Sequence, residues 1–145
     1  MDRSIPSAAS FAAAAKLACV ILRREIPHYN WVGIYMLQGD ELLLEAWDGS
    51  VATEHVKIPI GKGVCGMAAS ENRAVIVRDV REEPRYLACF ATTRSEIVVP
   101  IRDSKGDVIG EIDSDSDQIG AFHGTDLVFL EWLADRLSAK WRKEA

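Results

Sequence analysis

The sequence predicts an α+β domain, an antiparallel sheet with helices on one side. Three observations carry that expectation. Helical periodicity is confined to the two ends of the chain. The middle is rich in β-formers with period-two alternation. Neighbouring strands are joined by short turn chemistry, Gln38-Gly39-Asp40 and Asp103-Ser104-Lys105-Gly106. With 145 residues, 48% of them hydrophobic, the chain is expected to fold as a single domain over 1–145 with a core of its own.

Taken in order, Ser10 is placed to cap a helix. Its apolar residues Phe11, Ala14, Ala15, Ala18, Ile21 and Leu22 recur at i, i+3, i+4, i+7 spacing until Pro27 ends it. Cys19 lies on the flank of that helix and reads as a small buried residue. Trp31–Met36 and Glu41–Trp47 form a β-hairpin. Trp31, Gly33 and Tyr35 share one of its faces, so the two aromatics either fill the core or wall a pocket. Asp48-Gly49 opens a loop, and His55–Ile60 is a short strand running into the glycine turn Gly61–Gly66. Val64–Ser70 is a two-turn helix ended by Glu71-Asn72, and Ala74–Val77 is a strand. Residues 78–93 carry charge and Pro84 without a clean period; they are a long loop with at most a short helix, a class of loop that is often functional. Glu96–Arg102 and Asp107–Ser114 form a second hairpin. A last helix is expected from a Thr125 cap, with Leu127, Leu130, Ala134, Leu137 and Trp141 as its apolar stripe.

Several classes are excluded. A net charge of −5 argues against a nucleic-acid partner, which would call for a basic patch. Three cysteines in a core-forming chain do not make a disulfide framework, and a cytoplasmic protein with buried or reactive thiols is expected. The apolar N-terminal run is broken by Lys16, Asp2 offsets Arg3, and its period is helical, so it is neither a signal peptide nor a membrane span. Gly61-x-Gly63-x-x-Gly66 matches the dinucleotide fingerprint literally, but no full crossover helix follows it. Asp113 to Asp117 resembles the start of a calcium loop, yet Gln118 and Gly124 stand where glycine and glutamate are required. Cysteines and histidines show no paired ligand spacing, so no metal site is expected.

The informative stretch runs from His55 to Glu96 and holds Cys65 and Cys89. Cys65 lies in a glycine-rich turn that opens a helix, where unpaired backbone N–H groups favour a thiolate and a depressed pKa. Cys89 lies in the irregular segment before Ser95-Glu96. Two thiols that meet in the fold can carry redox chemistry.

Four segments, NWVGIY, IPIGKGVCG, LACFATTRSEIVVPI and IGEIDSD, resemble, in this order and spacing, the GAF-domain free methionine-(R)-sulfoxide reductases. The resemblance runs from Asn30 to Ser116. It implies a six-stranded antiparallel GAF sheet flanked by helices, commonly in a homodimer. It also implies that Cys89 is the nucleophile and that Cys65 is the cysteine of the GVCG turn. Glu96 matches the glutamate after the cysteine loop, Asp113 and Asp115 the paired carboxylates, and Trp31 and Tyr35 the aromatics of the first strand. Three positions depart from the family pattern: His55 stands where a third cysteine is found, Phe90 where aspartate is common, and Ser114 where an apolar residue is usual.

The implied activity is reduction of the free amino acid's sulfoxide. No bound cofactor is implied, and a thioredoxin-like protein would be the external reductant. Asp113 and Asp115, alternating on one strand about 7 Å apart, would hold the substrate ammonium. Their spacing alone, without the family resemblance, favours solvated strand-end residues. Cys89 would attack sulfur with Arg85 and Arg94 nearby, and a desolvated Glu96 would donate the proton. The resulting sulfenic acid would close a disulfide. With His55 in place of a cysteine, Cys65 or an external thiol would have to resolve it. Two other readings stand beside this one: a non-catalytic GAF module that binds a small ligand, and a redox sensor in which Cys65–Cys89 oxidation is the signal.

Overall fold

The computed structural model describes residues 4–53, 55–86 and 92–144. A short helix, α1 (Ser4–Ser7), precedes α2 (Phe11–Glu25). The hairpin β1 (Trp31–Gln38) and β2 (Glu41–Gly49) leads to β3 (Lys57–Pro59), α3 (Gly63–Glu71) and β4 (Val75–Val77). After a single 3-10 turn at Val80–Glu82 come β5 (Ser95–Arg102), β6 (Val108–Ser116) and α4 (Gly124–Glu144).

The strands form one six-stranded sheet in the order β3-β2-β1-β6-β5-β4, with every paired neighbour antiparallel. The two long hairpins are stitched together at its centre by β1 against β6. Both edge strands are only three residues long, which limits the unpaired backbone offered to another chain.

The expectation of helices on one side is corrected. Helices α2 and α4 cover one face, over Val32, Ile34, Met36, Ile97, Val99, Ile101 and Ile112. Helix α3 covers the opposite face, in a second cluster with Trp31, Tyr35, Val75, Val77 and Val98. The cause is visible in burial: β1, β5 and β6 are buried at consecutive positions, so the central strands need cover on both sides. Helix α3 is apolar all round and too short for its periodicity to show which face it packs.

The N-terminal helix begins where expected, with Ser10 Oγ accepting the Ala13 N–H at 3.0 Å. The last helix does not. His123 is its cap: Leu127 donates to the His123 carbonyl, and the His123 N–H donates to Asp126 Oδ2 at 2.8 Å. Thr125 therefore sits inside the first turn, and Asp126 makes the reciprocal contact three residues in. Tyr29, buried beneath, donates to the other oxygen of Asp126 at 2.6 Å. Leu130, Leu133, Ala134 and Leu137 form the buried seam of α4, whereas Trp141 is 37% exposed and packs edge-on against Phe11.

Candidate active site

The site lies between α3 and the sheet face that α3 covers. Period-two alternation sends Trp31, Gly33 and Tyr35 of β1 to that face, together with Glu111, Asp113 and Asp115 of β6. Register aligns them in rows: Trp31 with Asp115 and Glu96, Gly33 with Asp113 and Val98, Tyr35 with Glu111 and Pro100. Cys65 descends onto these rows from α3. Gly61 and Gly63 take positive φ values of 90° and 68°, and the Gly61 N–H donates to the Gly66 carbonyl at 2.8 Å. A side chain at Gly66 would meet the Pro59 carbonyl oxygen at 2.6 Å. The glycine turn thus holds the start of α3 tight against the end of β3 and fixes where Cys65 points.

Cys65 Sγ lies 4.0 Å from Glu96 Oε2. One ligand atom each from Cys65, Glu96 and Asp113 falls within 4.8 Å of the others. Cys65, Glu96, Glu111, Asp113 and Asp115 are all at most 6% exposed. Under strict hydrogen-bond geometry, both oxygens of Glu111, both of Asp115 and Oδ1 of Asp113 have no partner. Asp113 shares a cluster with the Cys65 thiol and Glu96, and it stands close enough to Glu111 and Asp115 for its charge to act on both. Among the described residues no cation pairs with Glu111, Asp113 or Asp115.

Burial, the largest cause, raises the carboxyl pKa values of Glu111, Asp113 and Asp115, and the charge of Asp113 raises its two strand neighbours further. The expected depressed thiol is corrected. Burial pushes Cys65 well above its ordinary value, and the charges of Asp113, Glu111, Glu96 and Asp115 push it the same way. The partial positive charge of one helix end does not offset desolvation and that many acids.

The indole of Trp31 lies flat on the strands. A Cβ at Gly33 would sit 2.2 Å from its Cη2, and one at Gly49 2.3 Å from its Cδ1. Tyr35 is fully buried, and its hydroxyl donates to the His55 carbonyl at 2.9 Å. His55 in turn donates its backbone N–H to Thr53 Oγ1 at 3.0 Å. The residue replacing the third cysteine is thus tied to the site through its main chain.

Curated and solved proteins resemble this chain. It matches the GAF domain family over residues 11–141. It is 36% identical to the free methionine-R-sulfoxide reductase of Escherichia coli over 88% of this chain and 76% of that protein. The chain belongs to the GAF-domain free methionine-R-sulfoxide reductase family. The enzyme of that name from Saccharomyces cerevisiae is 44% identical over 108 residues. The chain spans 59% of that yeast protein's length, and 62% of a Zymomonas mobilis relative, protein ZMO0507. Among solved structures, the type II free methionine-R-sulfoxide reductase of Thermoplasma acidophilum superposes with a TM-score of 0.87 at 42% identity, covering 92% of this chain and 93% of that one. The Neisseria meningitidis reductase in complex with its substrate gives 0.88 at 34%, covering 97% and 85%.

For this GAF domain the resemblance and the six-stranded fold read from sequence are borne out. Of the residues expected at the site, Trp31, Tyr35, Cys65, Glu96, Asp113 and Asp115 gather on one sheet face. Cys89 lies outside the described residues, and so does the Cys65–Cys89 separation. Arg85, expected to favour a thiolate, is half exposed and committed to Glu83 at 3.0 Å and Glu71 at 3.9 Å. The guanidinium of Arg94 donates to the Thr93 carbonyl at 3.1 Å. Glu111 escaped the sequence reading, although the period-two rule that paired Asp113 with Asp115 extends back to it. Cys65, Glu96 and Asp113, coming from α3, β5 and β6, could together hold a divalent cation of borderline softness. Such a set leaves no linear spacing to read.

Proposed function

We propose that this GAF domain reduces free methionine-(R)-sulfoxide to methionine, with a thioredoxin-like protein as external reductant. One observation carries the reading: a buried row of acids beside a thiol, with no cation paired to Glu111, Asp113 or Asp115 among the described residues. Ionising these buried acids beside one another is costly, and a small ligand bearing an ammonium offsets that cost. The amine of a free amino acid, set between Asp113 and Asp115, provides charge-assisted hydrogen bonds. A peptide-bound methionine has no such amine. Trp31, flat on Gly33 and Gly49, supplies an apolar wall in the same row as Asp115 for the methyl–sulfur end.

In this reading Cys89, placed by the LACFATT motif, attacks the sulfinyl sulfur as a thiolate. Glu96, buried beside Asp113 and Asp115, donates a proton to the oxygen. Methionine leaves, and Cys89, two electrons poorer, carries the oxygen as a sulfenic acid. Cys65 then attacks that sulfur and closes a disulfide with release of water; dithiol exchange restores both thiols.

Single turnover tests this. Reduced protein is mixed with each epimer of free methionine sulfoxide, or with the N-acetylated R epimer, and thiols and methionine are counted. Loss of two thiols and release of one methionine are expected with the free R epimer alone, and Cys89→Ser should abolish both. Asp115→Asn should weaken substrate binding by about 10- to 100-fold, as for a lost hydrogen bond to a charged group. Thiols that survive saturating free R epimer would leave a ligand-binding GAF module as the better description.

A further inference from the structure

Cys65, Glu96 and Asp113 come from α3, β5 and β6, yet one donor atom from each lies within 4.8 Å of the other two. Glu96 and Asp113 are diagonal neighbours on adjacent strands, because Glu96 faces Asp115 and Val98 faces Asp113 in the ladder. The glycine turn holds Cys65 against them, with Sγ 4.0 Å from Glu96 Oε2. Around a tetrahedral zinc ion, thiolate sulfur at about 2.3 Å and carboxylate oxygen at about 2.1 Å stand about 3.6 Å apart. The remaining difference of about 0.4 Å is within reach of side-chain rotation. A second observation points to a cation. Asp113 Oδ1 and both oxygens of Asp115 are buried without a hydrogen-bond partner, on the face that Cys65 covers. Among the described residues no lysine, arginine or histidine pairs with either acid.

We infer that Cys65, Glu96 and Asp113 form a binding site for a thiophilic dication, zinc(II), and that the bound ion closes the acid row to an incoming ammonium. The site stands apart from the reductase reading; the block on catalysis rests on it. Donor chemistry selects the ion. One sulfur and two carboxylate oxygens suit a cation of borderline softness, whereas magnesium and calcium take oxygen donors and more of them. Three protein ligands leave a fourth tetrahedral position for water. The unpartnered oxygens of Asp115, across the ladder from Glu96, can accept that water's protons. On binding, the Cys65 S–H bond breaks, its proton leaves to solvent, and the sulfur gives zinc the electron pair it keeps. Nothing is oxidised or reduced. The three ionised ligands gather three negative charges, and the dication offsets two of them. Zinc there occupies Asp113, one anchor of the ammonium, and Glu96, the proton donor, so sulfoxide and zinc exclude each other.

The test uses the reduced chain, freed of metal and kept from oxygen. Cobalt(II), a spectroscopic substitute for zinc, should give a sulfur-to-cobalt charge-transfer band that saturates at one equivalent and is abolished by excess zinc. Magnesium in large excess should leave the band unchanged. Cys65→Ser, with Cys19 and Cys89 still in place, should lose it. Asp113→Asn should weaken zinc binding about 100-fold against a competing chelator, and Asp115→Asn, outside the ligand set, about 10-fold. A wild type without the band, or a Cys65→Ser protein that keeps it, overturns the site. Where urea titration shows Cys65→Ser to be unfolded, the near-isosteric Asp113→Asn decides, and an unchanged zinc affinity overturns the site. Single turnover then reads the block: one equivalent of zinc should stop methionine release from the free R epimer, and excess sulfoxide should restore it. Release that zinc does not slow overturns the block. A metal-free wild type that shows the band with cobalt but releases no methionine removes the reductase reading and supports the metal site.

Discussion

The substitution Gly33→Ala adds one methyl group to the floor beneath Trp31. A Cβ at that position would lie 2.2 Å from Trp31 Cη2 and 2.5 Å from Cζ3, where ordinary contact begins at 3.4 Å, so the six-membered ring must lift by more than 1 Å. It cannot slide aside within the sheet, because its other edge rests on Gly49, its ladder partner. The indole is 3% exposed, so lifting it disturbs packed neighbours rather than water. Overpacking of this kind costs about 1–3 kcal/mol, or roughly 3–10 °C in Tm for a domain of this size. Gly33 also faces Asp113 across the ladder, so the Michaelis constant for the sulfoxide should rise as the wall and the acid row part. The assay is a double-mutant cycle in urea with Trp31→Leu as the second change. Once the indole is gone the added methyl should be neutral or stabilising, since glycine in a strand interior weakens it. Equal costs of Gly33→Ala with and without the indole would refute the flat placement of Trp31.

Three other outcomes are expected. Glu111, Asp113 and Asp115 keep protons in the folded protein that they release in the unfolded chain, so the stability they contribute is complete below about pH 4 and lost as pH rises through their raised folded values. Asp115→Asn should flatten that loss relative to wild type in urea titrations above pH 4, and a variant as pH-dependent as wild type would contradict it. Cys19, fully buried and pushed up to about 12 mainly by desolvation, should resist thiol reagents until the protein unfolds; its modification at the rate of a surface thiol would place α2 wrongly. Tyr29→Phe removes the 2.6 Å bond to Asp126 and should cost about 1–3 kcal/mol in denaturant while leaving sulfoxide turnover unchanged. A loss of turnover without a loss of stability would reverse that assignment.

Much of the scaffold was legible because it follows local rules. Ser10 caps α2 as its side chain requires, and Gln38-Gly39-Asp40 turns the first hairpin with Gly39 at a φ of 64°. The start of α4 was misplaced by the same kind of rule. Thr125 is a good capping residue, but the carboxylate of Asp126 reaches back to His123 and is held there by Tyr29, about a hundred residues earlier in the chain. At the site, alternation along β6 gave Asp113 and Asp115 a shared face, and Glu111 was available from the same alternation. Its meaning was not, because an acid on a strand is ordinary until something buries it.

The sequence alone determined the strands, their partners across short turns and the family to which the motifs belong, since propensity, turn chemistry and motif spacing act over a few residues at a time. The placement of α3 on the face opposite α2 and α4 was decided by the tertiary structure, through central strands buried on both sides. That placement sets Cys65 among Glu96, Glu111 and Asp113, and it reverses the expected charge state of the thiol. A helix terminus is read from neighbours in sequence, whereas desolvation and the field of acids on other strands exist only once the layers have closed.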